Sequence, residues 1–166
     1  MLRLILPLLL LTGPALAEPV RIPAPGGAVL GLNAQQFNVQ YNEWHYAPAR
    51  IEGKLVYLSG VVAGAADGKP LDVAGFEASL RRAFGQIDRL LTAAGSDSSH
   101  IVEISSFHVF GAPLATFDKA AHLDAVRRVH AEFVKPPYPA WTAIGVSDLL
   151  PPGGMVEIRV LARLKD

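Results

Sequence analysis

The run Met155-Val156-Glu157-Ile158-Arg159-Val160-Leu161-Ala162-Arg163-Leu164 reads as a β-strand. Successive strand side chains point to opposite faces, so Val156, Ile158, Val160, Ala162 and Leu164 share one side and Glu157, Arg159, Leu161 and Arg163 the other. The first face fits under helices. The second is mixed, as on a surface that meets another subunit or lines a cleft, and Glu157 is its one carboxylate.

Working back from this strand, Leu150 to Gly154 is a loop and Trp141 to Val146 is a second predicted strand, opened by a large aromatic residue. Pro136, Pro137 and Pro139 stand before it and stop any helix, because proline lacks the amide donor and restricts the residue ahead of it. That helix is predicted over Phe117 to Phe133, where Ala120, Leu123, Val126, Val129 and Phe133 recur at helical spacing. His100 to Phe110, short and rich in Ile, Val and Phe, is predicted to be a strand. The clearest helix is Asp72 to Ala94: Phe76, Leu80, Ala83, Phe84, Ile87, Leu90, Leu91 and Ala94 gather on one face, and Gly95 can close it in a left-handed conformation.

Further upstream, Lys54 to Val62 is a predicted strand followed by an Asp67-Gly68 turn, and the alternation in Phe37-Asn38-Val39-Gln40-Tyr41 predicts another. Residues 18–36 carry Pro19, Pro23, Pro25, Gly26 and Gly27 and are read as an N-terminal arm with room for one short strand. The order is strands, helix, strand, helix, two strands. It predicts an α+β domain over residues 37–166, a mixed sheet with two helices packed on one face. No third helix is available for the other face, so oligomerisation is expected.

Composition narrows the function classes. The chain has 166 residues, 51% of them hydrophobic and 18% charged, which suits one domain with a sizeable core. Basic and acidic residues balance at 15 each, so there is no positive field to gather nucleic acid, and no nucleic-acid partner is expected. Cysteine is absent, which excludes disulfides and thiolate chemistry. The histidines at 45, 100, 108, 122 and 130 do not form the i, i+4 pair with an intervening Glu that marks a zinc hydrolase, so no metal site is expected. Ser59 lacks the Gly-x-Ser-x-Gly setting of a serine hydrolase.

Residues 1–17 read as a signal peptide: Arg3 is the positive end, Leu4 to Leu11 a short apolar run, and Ala15-Leu16-Ala17 the small residues before cleavage. The run is shorter than the about 20 apolar residues a membrane span needs. A periplasmic or secreted protein without a stable membrane anchor is the expectation.

Within this order, Tyr46 ahead of Leu55-Val56-Tyr57-Leu58-Ser59-Gly60, the helix end Leu90-Leu91-Thr92-Ala93-Ala94-Gly95, Ile101 to Phe107, Tyr138-Pro139-Ala140 and Val156-Glu157-Ile158 together resemble the Rid (YjgF/YER057c/UK114) family. The resemblance covers roughly Tyr46 to Arg163. It implies a chorismate-mutase-like homotrimer with ligand clefts between subunits. In the best-known branch it also implies hydrolysis of 2-imino acids to 2-oxo acids and ammonia without metal or organic cofactor. That branch grips the substrate carboxylate with an arginine after Pro-Ala and orients water with a glutamate on the last strand. Glu157 stands at the glutamate position, whereas Trp141 stands at the arginine position and Val61 replaces a common Gln.

An indole offers one neutral donor and an apolar face, and it cannot reproduce the charged fork of a guanidinium. The resemblance therefore implies binding, or weak hydrolysis, of a small planar or apolar metabolite, with Glu157 as the catalytic candidate and Trp141, Tyr46 and Ser59 as ligand-binding candidates. One alternative is imine deamination with Arg50, Lys54 or Arg159 as the substituted cation. Another is a non-catalytic interaction trimer, in which Glu157 is an interface salt bridge and Trp141 an interface aromatic.

Overall fold

The computed structural model describes residues 18–166; the expected signal peptide lies outside the described residues. Seven strands form one sheet: β1 (Val20–Ala24), β2 (Gly27–Gly31), β3 (Ala49–Glu52), β4 (Leu55–Gly64), β5 (Ile101–His108), β6 (Ala140–Gly145) and β7 (Gly154–Arg163). Their spatial order is β1-β2-β3-β4-β7-β5-β6, antiparallel throughout except for the β5–β6 pair. The last strand in sequence thus sits between β4 and β5, where both its backbone edges are paired.

Two long helices cover one face. Helix α2 (Val73–Ala94) begins where the Asp72 carboxylate accepts from the Gly75 amide and ends at Gly95, whose φ of 89° is the left-handed conformation glycine adopts without a Cβ clash. Helix α3 (Lys119–Phe133) starts in the same way, with Asp118 accepting from the Ala121 amide. The apolar faces of the two helices, with Phe76, Leu80, Phe84, Ile87, Leu91, Val126 and Val129, pack over Val56, Leu58, Ile104, Val156, Ile158 and Val160 of the sheet in one continuous core. Burial of each large side chain contributes about 1.5–3 kcal/mol, which is why these two segments hold their helical form in a chain otherwise rich in strand formers.

Two N-terminal expectations are corrected. Residues 18–36 are not a free arm: β1 and β2 form a hairpin, turned at Gly26 with φ 76°, and β2 continues the sheet by pairing with β3. The predicted strand at Phe37–Tyr41 is instead helical, as a short α1 (Ala34–Phe37) running into a π-helical turn (Asn38–Glu43). Asn33 caps α1 by accepting from the Gln36 amide at 2.9 Å. Phe37 and Tyr41 stack at 5.0 Å, a contact between side chains four residues apart that a helix brings together and a strand does not. Among the described residues no helix is long and apolar enough to cross a membrane.

Among the described residues the second face of the sheet carries no helix. It presents Tyr57, Val62, Glu157, Arg159, Leu161, Ser105 and Phe107, the residues that alternate with the buried positions of β4, β7 and β5.

Candidate functional site

Strand β4 bulges in the middle of this open face. Leu58 pairs with Val160 and Val61 with Ile158, so Ser59 and Gly60 together oppose Arg159 alone. The extra residue re-aims the strand and leaves a gap, and the Glu157 carboxylate fills it. A Cβ built on Gly60 would lie 1.7 Å from Glu157 Oε1, so only glycine leaves room for this side chain.

Glu157 is half-buried and, among the described residues, its carboxylate has neither a hydrogen-bond donor nor an ion-pair partner. Its surroundings are apolar: Val62 lies beside it on β4 and Phe107 on β5. A carboxylate held there can accept hydrogen bonds from a ligand or from a water molecule placed against one.

Ser59 fixes the segment that approaches this gap. Its hydroxyl donates to the Ala47 carbonyl at 2.7 Å, and its amide donates to the Pro48 carbonyl at 3.0 Å. Tyr46, immediately before Ala47, is exposed and follows His45, whose φ of 57° turns the chain. The sequence candidates Glu157, Ser59 and the segment carrying Tyr46 are therefore gathered around one bulge.

The three candidate cations separate. Arg50 donates to Glu52 at 2.9 Å and to the Pro25 carbonyl, and Lys54 pairs with Asp166 at 3.0 Å. Arg159 has no ion-pair partner among the described residues; it shares the face of Glu157 and stands opposite the Ser59–Gly60 bulge. Although Glu157 and Arg159 share a face, they do not pair with each other.

Trp141 is elsewhere. It is in register with Ile104, which lies beneath the helices, and its indole turns to that side. The ring stacks on His130 of α3 at 4.5 Å and 8°, and Nε1 donates to Ser106 Oγ at 2.9 Å. Below it runs a buried polar chain: Ser106 Oγ lies 2.8 Å from His108 Nε2, and His108 Nδ1 lies 3.1 Å from His122 Nε2.

An indole can only donate, so Ser106 accepts from Trp141 and its own proton goes to His108 Nε2. His108 then carries its proton on Nδ1 and donates to His122. This assignment leaves no hydroxyl proton in the chain without an acceptor. Burial pushes the pKa of both histidines down, that of His122 to about 4 with a further contribution from neighbouring His108, which agrees with neutral rings.

Ser106, His108 and His122 have the spacing of a nucleophile, base and orienting group, yet Ser106 is only 2% exposed and lies under Trp141. The chain binds the edge strand to the helical layer. Period-two alternation through Ile104, Ser106 and His108, and helical spacing from His122 to Val126 and Val129, mark these polar residues as inward-facing, a signal the family motifs do not contain. Among the described residues no group of three or more His, Asp or Glu side chains could hold a metal ion.

Comparison with known proteins agrees with this architecture. The family described as Endoribonuclease L-PSP matches residues 39–164. The RutC family protein YjgH of Escherichia coli (strain K12) is 35% identical over 127 residues, 76% of this chain and 88% of that protein. A solved structure of a protein YjgH is 33% identical with a TM-score of 0.57, covering 76% of this chain and 88% of that one. The RidA structure from the Antarctic bacterium Psychrobacter sp. is 27% identical with a TM-score of 0.57, covering 72% of this chain and 88% of its own.

Proposed function

Because the chain belongs to the Rid (YjgF/YER057c/UK114) family, we propose that it acts as an exported homotrimer that binds a small metabolite in clefts between subunits. The observation that carries this reading is Glu157: a half-buried carboxylate, given space by Gly60, with no partner among the described residues, on the sheet face that none of the described helices covers. A second copy of the chain is the economical cover for that face, and Glu157 then lies at the subunit junction.

The ligand is small, with a planar or apolar body against Phe107 and Val62 and a hydrogen-bond donor toward Glu157. Trp141 and Glu157 occupy opposite faces in one chain, so a cleft containing both takes Trp141 from one subunit and Glu157 from its neighbour. The balanced net charge does not favour RNA as the occupant.

Arg159 supports a second reading, imine deamination with a substituted cation, because it stands unpaired on the face of Glu157. Native mass spectrometry of the protein purified from the export compartment tests both. A trimer beginning at Glu18, carrying a small molecule that Glu157→Gln releases, is the expected result. A monomer, or ligand retention indifferent to Glu157→Gln, would reject the proposal. Release of ammonia from an enzymatically generated 2-imino acid, lost in Arg159→Gln, would select the second reading.

A further inference from the structure

A groove of about 760 Å³ runs between α2 and the loop before β7 and reaches Val62 and Gly64 of β4. One wall is the α2 stripe of Arg82, Gly85, Gln86 and Arg89, whose spacings of three, four and seven residues align them along one line of the helix. The other wall is Pro151 and Pro152. Among the described residues no acidic side chain lines the groove.

The arginines of these helices fall into two groups. Arg81 is held by Glu132 and Glu77, Arg128 by Glu77 and Asp124, and Arg127 by Asp124. Arg82 and Arg89 enter no ion pair among the described residues. Arg89 also folds back along the helix: its Nη1 lies 4.0 Å from the position a Cβ would take on Gly85, and nothing else comes within 4 Å of that position.

Arg82 and Arg89 are seven residues apart, about 10 Å along the axis, and this back-folding by a turn brings both guanidinium groups within reach of one ligand. Gly85 supplies the open floor. Glycine inside a helix costs about 1 kcal/mol relative to alanine, and no packing contact demands it here.

The geometry points to a second ligand site, built on α2 and not on Glu157, that takes a small oxyanion: a carboxylate or phosphate ester gripped by Arg82 and Arg89, with Gln86 as an amide donor and the prolines against its apolar part. Guanidinium forks match the planar oxygens of such groups in two parallel charge-assisted bonds. A groove of this volume is the size that encloses a small metabolite, where a bare patch of surface arginines would not.

Calorimetric titration of the mature protein with pyrophosphate and with succinate, at low ionic strength, tests the site and distinguishes the two anion chemistries. Saturable binding of at least one probe is expected, weakened about tenfold or more by Arg82→Gln and by Arg89→Gln, and unchanged by Arg127→Gln, which removes an already paired charge of the same helical layer. Glu157→Gln leaves this binding intact. Absence of saturable binding by both probes, or equal weakening by Arg127→Gln, would overturn the proposal, the latter because it would reveal diffuse charge attraction. The arginine variants replace exposed side chains and Glu157→Gln keeps the shape of a half-buried one, and an unchanged circular dichroism spectrum confirms the fold in each.

Discussion

Trp141 and Glu157 stand on opposite faces of the same sheet, the first in register with Ile104 and the second with Phe107 three residues further along β5. Strand geometry makes this separation obligatory, since residues an odd number apart point to opposite sides. A site using both residues must therefore be assembled from two chains. Co-expression of Glu157→Gln and Trp141→Ala subunits is expected to restore ligand binding in about a quarter of the clefts of randomly mixed trimers, the share that draws both native residues. Native mass spectrometry of the mixture measures it, and no recovery above the two single variants would place Trp141 outside the cleft.

Gly60 and Glu157 are expected to behave as one unit. Gly60→Ala drives a methyl group into the carboxylate, with a destabilisation of about 1–3 kcal/mol. In a Glu157→Ala background the three atoms nearest that methyl group, all of the Glu157 side chain, are gone, so most of that cost disappears. Urea denaturation of the four proteins in the cycle gives the coupling directly.

Trp141→Arg restores the guanidinium that the deaminase branch carries at this position. If that side chain meets a neighbour's Glu157, ammonia release from 2-imino acids rises about tenfold or more, from two charge-assisted hydrogen bonds to the substrate carboxylate. Adding Glu157→Gln removes the gain. A coupled assay with an amino-acid oxidase supplying the imino acid is the measurement.

The buried histidines make stability fall on the acid side. Burial, with a smaller contribution from His108, holds His122 at about 4 against an ordinary value of 6.5, and burial lowers His108 and His130 as well. The unfolded chain takes up protons near 6.5 while the folded chain does not. Stability is thus complete above pH 6.5 and is lost progressively toward pH 4, by up to about 3 kcal/mol for His122. Asp97, whose carboxyl is held below its usual range by Lys165, Ser99 and His100, contributes its own loss only at still lower pH. Denaturation midpoints between pH 7.5 and 4.5 should slope in the native protein and slope less steeply in His122→Gln, where His108 and His130 still contribute.

Ser106→Ala removes the acceptor of the Trp141 indole and the donor to His108 Nε2 in one step. A loss of about 1–3 kcal/mol is expected, the cost of leaving buried polar atoms without partners. Faster hydrogen exchange confined to β6 would show that the chain fastens this strand.

Much of the fold could be read from periodicity. Both long helices lie within two residues of their expected bounds, because Asp72 and Asp118 cap them and Gly95 terminates the first. The N-terminal part was harder to read. At Phe37–Tyr41 the apolar alternation is genuine but local, and the Asn33 cap with the Phe37–Tyr41 stack outweighs it; Val39, which a strand would have placed beside them, is 41% exposed. The hairpin over residues 20–31 was obscured by prolines that an edge strand tolerates.

For the site, the strand pattern put Glu157 on the open face, but the bulge that seats it depends on a register shift between β4 and β7 that no single strand displays. The facing of Trp141 was hidden for the same reason. It follows from the pairing of β6 with β5, a relation between segments more than thirty residues apart.

Both rims of the sheet are defended against growth. Pro23 lies within β1 and Pro19 and Pro25 flank it, while Pro136, Pro137 and Pro139 lead directly into β6, the fully exposed rim on the other side. Proline cannot donate to an added strand, so Pro23 removes a donor from the β1 border and the prolines before β6 limit how far that border can extend. Copies of this protein that meet before folding is complete are steered away from open-ended ribbons. In the proposed trimer the copies would join instead through the mixed face that carries Glu157, and association would end once that face is covered.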